Sequence, residues 1–592
     1  MPDQPAIMSC SLQVVEQLNL ASPLRIPTEA DRPCILPPGE VKDVEPLYTP
    51  LDMHTYEFRI LQLAPGSRND PIVCTTYIAR IKDRPAYTAL SYAWGEPADT
   101  RPVHLNGYPV QVTRNLFAAL RRLRDSDCIQ KLWVDALCIN QADNEEKANQ
   151  ISLMRLIYIE STVAVMWLGE FLDADSEPYA KTHRGVHSGL QRSLIPEINA
   201  KEAFSHFEKL AANEHIIPDP ELPEMIQDIP SALLIYELPW WKRMWTLQSQ
   251  ETALPKNVVF VCGSARLPYE TLEKAMDNWS YHHRRNTCCF SHENRPLYRK
   301  GIAPLYALVM YISYLRVAVY KANNVDLIWA ICTFKERQAT DPRDKIFGVL
   351  GLFPKIALHV TVDYSAHYSK ICTDLFLHLI TSTLDLEAWT CLVGAQIDPL
   401  LPTWVPNFYL NHPPGFSFGN PILQRYGKGS AARGTTLQFG RPQKDVLSVV
   451  GICVGRIAHT LSCGTLSREE SKSAIDNFFR RASIAVQQGY PSGRSYEEAA
   501  LELHSGVTGC QAQMDVFITD RGYAGYAYHD LTVADTVHVI FGGKLPFIFR
   551  ESEREDEERT RYHRLIGPCV IHGLDDGSAL DWGAETETYF LV

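Results

Sequence analysis

Lys131-Leu132-Trp133-Val134-Asp135-Ala136-Leu137-Cys138-Ile139-Asn140-Gln141-Ala142-Asp143-Asn144-Glu145-Glu146 is the stretch on which the fold class turns. Lys131 to Val134 reads as a buried strand of minimal length. Asp135 to Ala142 is a loop. Asp143, with Glu146 three residues on, has the spacing of a helix capping box. The helix then runs to about Glu160, with Ile151, Met154, Ile157 and Tyr158 on one face. Val163 to Leu168, closed by Gly169, is the next strand. Strand–helix–strand units of this kind make parallel pairs with a right-handed crossover. The Asp135–Ala142 loop therefore stands at the carboxyl end of a strand, the edge where open parallel sheets bind ligands.

Upstream, Tyr56 to Leu61 alternates as a strand does, and further strands are expected at Val73 to Ile81 and Tyr87 to Trp94. Asn106-Gly107 inside Val103 to Val112 is a strong hairpin signal. Thr113 or Asn115 can cap a helix through Arg124 that carries Leu116, Leu120 and Leu123 on one stripe. Downstream, 172–235 is polar and irregular, like an insertion. A helix follows from about Pro239 to Thr252, then a strand from Asn257 to Cys262. Helices are expected at 303–319, 324–334 and 366–382. From about residue 400 short β-prone runs dominate: Val446 to Val454, Met514 to Thr519 and Val537 to Phe541. The charged run Glu551 to Thr560 reads as a solvated loop, and there is no internal repeat. The expected organisation is an extended leader over 1–50, an α/β domain with a mainly parallel sheet over 51–275, a mainly helical region over 276–400 and a β-rich region over 401–592.

A chain of 592 residues exceeds what one core supports. The net charge of -12 argues against a general nucleic-acid binder, which needs clustered Lys and Arg. Met1 to Leu24 has no basic n-region with an unbroken apolar stretch, so no secretory signal is expected. No run of about 18 apolar residues suggests a membrane span. The 15 scattered cysteines suit reduced, packed thiols in a cytoplasmic protein. His282, His283, Cys288, Cys289 and His292 are zinc-type ligands without the paired spacing of a zinc site, and a polar surface loop is the simpler reading, with no metal.

Three ordered blocks resemble the fungal heterokaryon-incompatibility (HET) family: Tyr87-Thr88-Ala89-Leu90-Ser91-Tyr92-Ala93-Trp94-Gly95, then Trp133 to Gln141 with Glu146, Gln150, Met154, Tyr158 and Trp167-Leu168-Gly169, then Arg243-Met244-Trp245-Thr246-Leu247-Gln248. The likeness continues through Asp341 to Phe347, Leu401 to Pro406, Thr519 to Tyr523 and His572 to Gly577. It implies a role in non-self recognition and programmed cell death. It also implies a distant similarity to Toll/interleukin-1-receptor (TIR) domains, some of which are scaffolds and some of which hydrolyse NAD with a glutamate. NAD would then be a substrate rather than a bound cofactor. The alternative is a non-catalytic module acting on a protein partner or by self-association.

Family members often carry Trp-x-x-Gln-Glu where this chain has Trp245-Thr246-Leu247-Gln248-Ser249-Gln250-Glu251. Ser249 takes the expected glutamate position, or Gln250-Glu251 is the motif displaced by two. Helical spacing puts Trp240, Met244, Leu247 and Glu251 on one face, making Glu251 the candidate carboxylate for a ribosyl cation. Ser91, Trp94 and Gly95 can cradle a nucleotide, the glycine admitting a phosphate and the indole stacking on a base, or form a tight turn with a core Trp. Asp135 and Asn140 can hold a ligand or cap their own loop. Gln150 can bridge helices. A nucleophilic Cys138 lacks a neighbouring histidine.

Overall fold

In the computed structural model the described residues are 47–170, 200–213, 235–236, 238–244, 246, 257–282, 305–313 and, from 327 on, all but 329, 332–333, 335–336, 351, 354–358, 361, 392–397, 409–430, 441, 444, 464–469, 471, 479–513, 529–530, 555, 557–558 and 575. They belong to two units, Met1–Ala322 and Asn323–Val592.

The first unit is built on nine strands: β1 (Glu57–Leu63), β2 (Val73–Arg80), β3 (Thr88–Tyr92), β4 (Thr100–Leu105), β5 (Tyr108–Thr113), β6 (Gln130–Trp133), β7 (Val163–Gly169), β8 (Val258–Cys262) and β9 (Ala265–Pro268). Its named helices are α1 (Arg114–Leu123), α2 (Asp135–Cys138), α3 (Asn144–Ile159), α4 (Ala200–Ala211), α5 (Pro239–Lys242) and α6 (Tyr269–Tyr281). The strands form one sheet in the order β5-β4-β2-β1-β6-β3-β7-β8-β9. β6, β3, β7 and β8 run parallel, and α3 carries the chain from β6 to β7 across β3. β1 joins this block antiparallel at β6, and β9 joins it antiparallel at β8.

The α/β architecture is as expected, but the sheet is mixed rather than mainly parallel. Four strands of one direction form its centre, and hairpins extend it on both sides. Hairpins need only two-residue turns, so they add antiparallel strands without further crossover helices. Asn106 and Gly107 make one such turn with φ of 52° and 86°, the left-handed pair that matches strand twist. The Asn106 side chain is also tied to β2, accepting from Thr76 N at 2.8 Å.

Three local expectations need correction. First, the helix expected over 239–252 is described only as α5, since Arg243 is extended (φ -88°, ψ 142°). The Thr246 hydroxyl donates at 2.7 Å to Trp240 O and Arg243 O, stabilising this break. Trp240 and Met244 therefore do not share a continuous helix face, and Leu247 and Glu251 lie outside the described residues. Second, Asp143 caps α3 by accepting from Glu145 N and Glu146 N, but Glu146 does not return the bond; it faces Arg59. Third, Phe204, Phe207 and Leu210 make α4, within the stretch read as irregular, a buried helix. Asn278 of α6 caps its end, donating to Leu210 O at 2.7 Å.

The second unit contains α7 (Asp344–Leu350), α8 (Tyr368–Thr383) and seven strands: β10 (Leu447–Ser462), β11 (Met514–Thr519), β12 (Ala524–Tyr528), β13 (Thr536–Ile540), β14 (Phe547–Glu551), β15 (Tyr562–Ile571) and β16 (Glu587–Leu591). Their order is β11-β12-β15-β14-β13-β10-β16, and β10 also pairs with β11, closing the sheet into a barrel-like form. Closure depends on the length of β10. Its first half pairs with β13 and β16 and its last residues with β11, with register shifts near Cys453 and Ile457. Such irregularities bend a strand. Gly451 lies where β10 meets β13; a Cβ there would sit 2.5 Å from Val539 O. Ile452, Val454, Val537, Val539, Ile548 and Ile571 fill the interior. Trp389 packs edge-on to Phe547 (4.9 Å) and donates to Trp404 O. Among the described residues no helix is long and apolar enough to cross a membrane.

Candidate functional site

β3 and β6 are parallel neighbours, and the segments after them, Ala93-Trp94-Gly95 and Val134-Asp135, meet through Trp94 and Asp135. Trp94 Nε1 donates to Asp135 Oδ2 at 2.8 Å. Ala136 N donates to Asp135 Oδ1 at 2.7 Å, and the Tyr92 hydroxyl also bonds this carboxylate. Burial raises the pKa of the Asp135 carboxyl. The Trp94, Ala136 and Tyr92 donors and the positive charge of Arg243 pull the other way. Burial and the neighbouring Asp135 keep Tyr92 protonated well beyond the usual phenol range.

Ser91 faces a second set of partners. Its Oγ accepts from Trp240 Nε1 at 3.0 Å and its hydroxyl bonds Tyr158. Tyr158 in turn donates to Leu90 O and feels the charge of Asp135. Trp240 stacks edge-on with Trp241 and Phe260. Ser91 is therefore enclosed, whereas the Trp94 indole, although pinned at its N–H, is 36% exposed.

Gly95 turns the chain with φ +84°, a conformation that strains any residue with a side chain. A Cβ there would meet only Asn115 Cβ at 3.6 Å. The turn alone accounts for the glycine, with no need for close approach of a phosphate. Asn115 does not cap α1. It donates to Ala93 O at 2.6 Å and accepts from Trp167 Nε1 at 2.9 Å, bracing the corner that carries Trp94. Thr113 holds the cap position but makes no side-chain cap bond.

The segment after β6 begins as α2 rather than as open loop. Asn140 Oδ1 accepts from Ala142 N at 3.2 Å, the local Asx arrangement. Gln141 Nε2 donates to Asp135 O. The whole segment is clamped from beneath by a buried bidentate pair. Arg59 Nη1 and Nη2 donate to Glu146 Oε1 (2.6 Å) and Oε2 (2.9 Å), and Nη1 also reaches Cys138 O at 3.0 Å. Glu146 Oε1 completes the clamp by accepting from Asn140 N at 2.7 Å. Gln150 bridges helix to strand, not helix to helix, donating to Glu57 O of β1. Cys138 is fully buried and its burial pushes the thiol pKa up to about 12, so it is held as an inert thiol.

Ser91, Trp94, Gly95 and Asp135 thus come together at the carboxyl edge, with Asn140 on the adjoining loop. Ser249 and Glu251 lie outside the described residues, as do His283, Cys288, Cys289 and His292. Among the described residues no group of three His, Cys, Asp or Glu side chains is placed to hold a metal. Tyr92, Asn115, Tyr158, Trp240 and Arg243 escaped the sequence reading as parts of the site. Tyr92, Tyr158 and Arg243 belong to the three sequence blocks, whereas Asn115 and Trp240 lie outside them and carried no local signal for this role.

Tyr92, Asp135, Tyr158 and Arg243, from the three separated blocks, meet at this edge. Residues 87–249 match the family described as Heterokaryon incompatibility protein (HET). Over these residues the chain carries a HET-type domain. The chain is 28% identical over 329 residues to Heterokaryon incompatibility protein 6, OR allele, of Neurospora crassa, a match covering 50% of this chain and 47% of the relative. The chain thus spans about half the length of that curated relative. No solved structure matches.

Proposed function

We propose that this protein acts in heterokaryon incompatibility, as a non-self recognition component that triggers cell death, and that its HET domain does so by hydrolysing NAD at the carboxyl edge of the sheet. The observation that carries this reading is the exposed, hydrogen-bonded indole of Trp94 set beside Asp135, where a planar ring can stack. The TIR likeness implied by the sequence supplies the chemistry. The bond between ribose C1′ and the nicotinamide nitrogen breaks, and nicotinamide leaves with the electron pair. A carboxylate, Glu251 in this proposal, stabilises the oxocarbenium-like cation, and water adds to C1′ with loss of a proton.

Overexpression in a fungal host, with viability and cellular NAD followed together, tests the proposal. Wild-type protein is expected to deplete NAD and arrest growth, and Glu251→Gln to do neither at equal abundance. Growth arrest without NAD loss would move the function to the assembly of HET domains with a protein partner or with one another.

A further inference from the structure

Both carboxylate oxygens of Asp135 are engaged by the protein itself. Oδ2 receives Trp94 Nε1, Oδ1 receives Ala136 N, and the Tyr92 hydroxyl bonds the same carboxylate. A carboxylate so engaged is poorly placed to receive ribose hydroxyls as well. Trp94 presents the opposite picture. Its N–H is fixed and its corner is braced through Asn115 to Ala93 and Trp167, yet more than a third of the residue faces solvent. Fixing an exposed side chain loses rotamer entropy that water-exposed hydrogen bonding would not require. The same restraint raises affinity for a ligand that stacks on the ring, because the entropy is already lost before binding.

We infer that Asp135 is a positioning residue, which does not touch the ligand but holds the Trp94 indole as a preset platform for a planar heteroaromatic ring. This rests on the reading of the edge as a nucleotide site. Adenine and the pyridine ring of nicotinamide share the required chemistry. AMP and nicotinamide are therefore separate arms of the test.

Binding of each is measured by calorimetry on the full chain, where no turnover is needed. At least one is expected to bind. Asp135→Ala should weaken it about tenfold, the effect of losing one charge-assisted hydrogen bond. Asp135→Asn, which keeps an acceptor for the indole N–H, should recover most of the loss. Trp94→Phe keeps an aromatic face without the N–H, and in that background Asp135→Ala should have no further effect. An equal loss in both backgrounds, or binding of neither ring by wild type, would overturn the inference. Should Asp135→Ala fail to fold, Trp94→Phe alone removes the same bond, and unchanged affinity would overturn it equally. The two readings fail separately. NAD hydrolysis without Trp94–Asp135 coupling sinks only the inference, and coupling without hydrolysis sinks only the hydrolase.

Discussion

Arg59 and Glu146 are 87 residues apart and both are buried, at 2% and 5% side-chain exposure. Two desolvated charges persist in a core only when each satisfies the other and the remaining donors find carbonyls. Here Nη1 and Nη2 reach Cys138 O and Thr49 O, while the buried Nε has no hydrogen-bond partner among the described residues, and the pair links β1 to the segment carrying Asp135. Glu146→Ala strands a buried guanidinium and is expected to cost about 3–5 kcal/mol in urea denaturation. Replacing both, as Arg59→Met with Glu146→Leu, should recover most of that stability. A Glu146→Ala protein as stable as wild type would show that Arg59 is reached by water. From the sequence Glu146 looked like half of a capping box, because local spacing was satisfied. Its true partner is a long-range contact that no local pattern encodes.

Elements show the same division between local and distant causes. The Asn106-Gly107 hairpin, the Asp143 cap and the β6–α3–β7 unit were legible because turn chemistry and periodicity act over a few residues. The mixed sheet was not, since direction and order depend on pairings between distant strands. Nor was the break after α5, where apolar spacing continues but Arg243 is extended. Four of the candidate site residues, Ser91, Trp94, Gly95 and Asp135, were found through motif blocks. Their roles needed hydrogen-bond partners to become visible.

The barrel offers an element-scale prediction. His538 of β13 lies 2% exposed against Phe549, His563 and Tyr589, which brings in β14, β15 and β16. Burial, and next the nearby His563, push its pKa down to about 3. The flanking titratable groups include Cys453, Glu551, Arg561 and Glu587. A histidine with a depressed folded pKa contributes stability that is present above its unfolded value near 6.5 and lost as pH falls below it. Lowering pH from 7 to 5 should remove about 2 kcal/mol through His538. His538→Phe should lose that part of the acid sensitivity in denaturation at the two pH values. An unchanged slope would place the sensitivity elsewhere.

At the scale of the molecule, the first unit ends at Ala322, and residue 275 falls inside α6. Beyond α6 the unit continues, with Tyr269 and Glu273 bonded to Ser313. A fragment meant to isolate the HET domain is therefore better ended at 322 than at 275. If the C-terminal region restrains the HET domain, residues 1–322 should be more toxic to a fungal host than the full chain at equal abundance. Equal or lower toxicity would remove restraint as its role.

The most direct test of the central claim is nicotinamide release from NAD by the purified full chain, beside Glu251→Gln and Trp94→Ala. The account predicts release by wild type, its abolition in Glu251→Gln, and a raised KM with Trp94→Ala, all three proteins melting alike. Absence of release by folded wild type, even when concentrated enough to assemble, would contradict it and leave the HET domain as an interaction module.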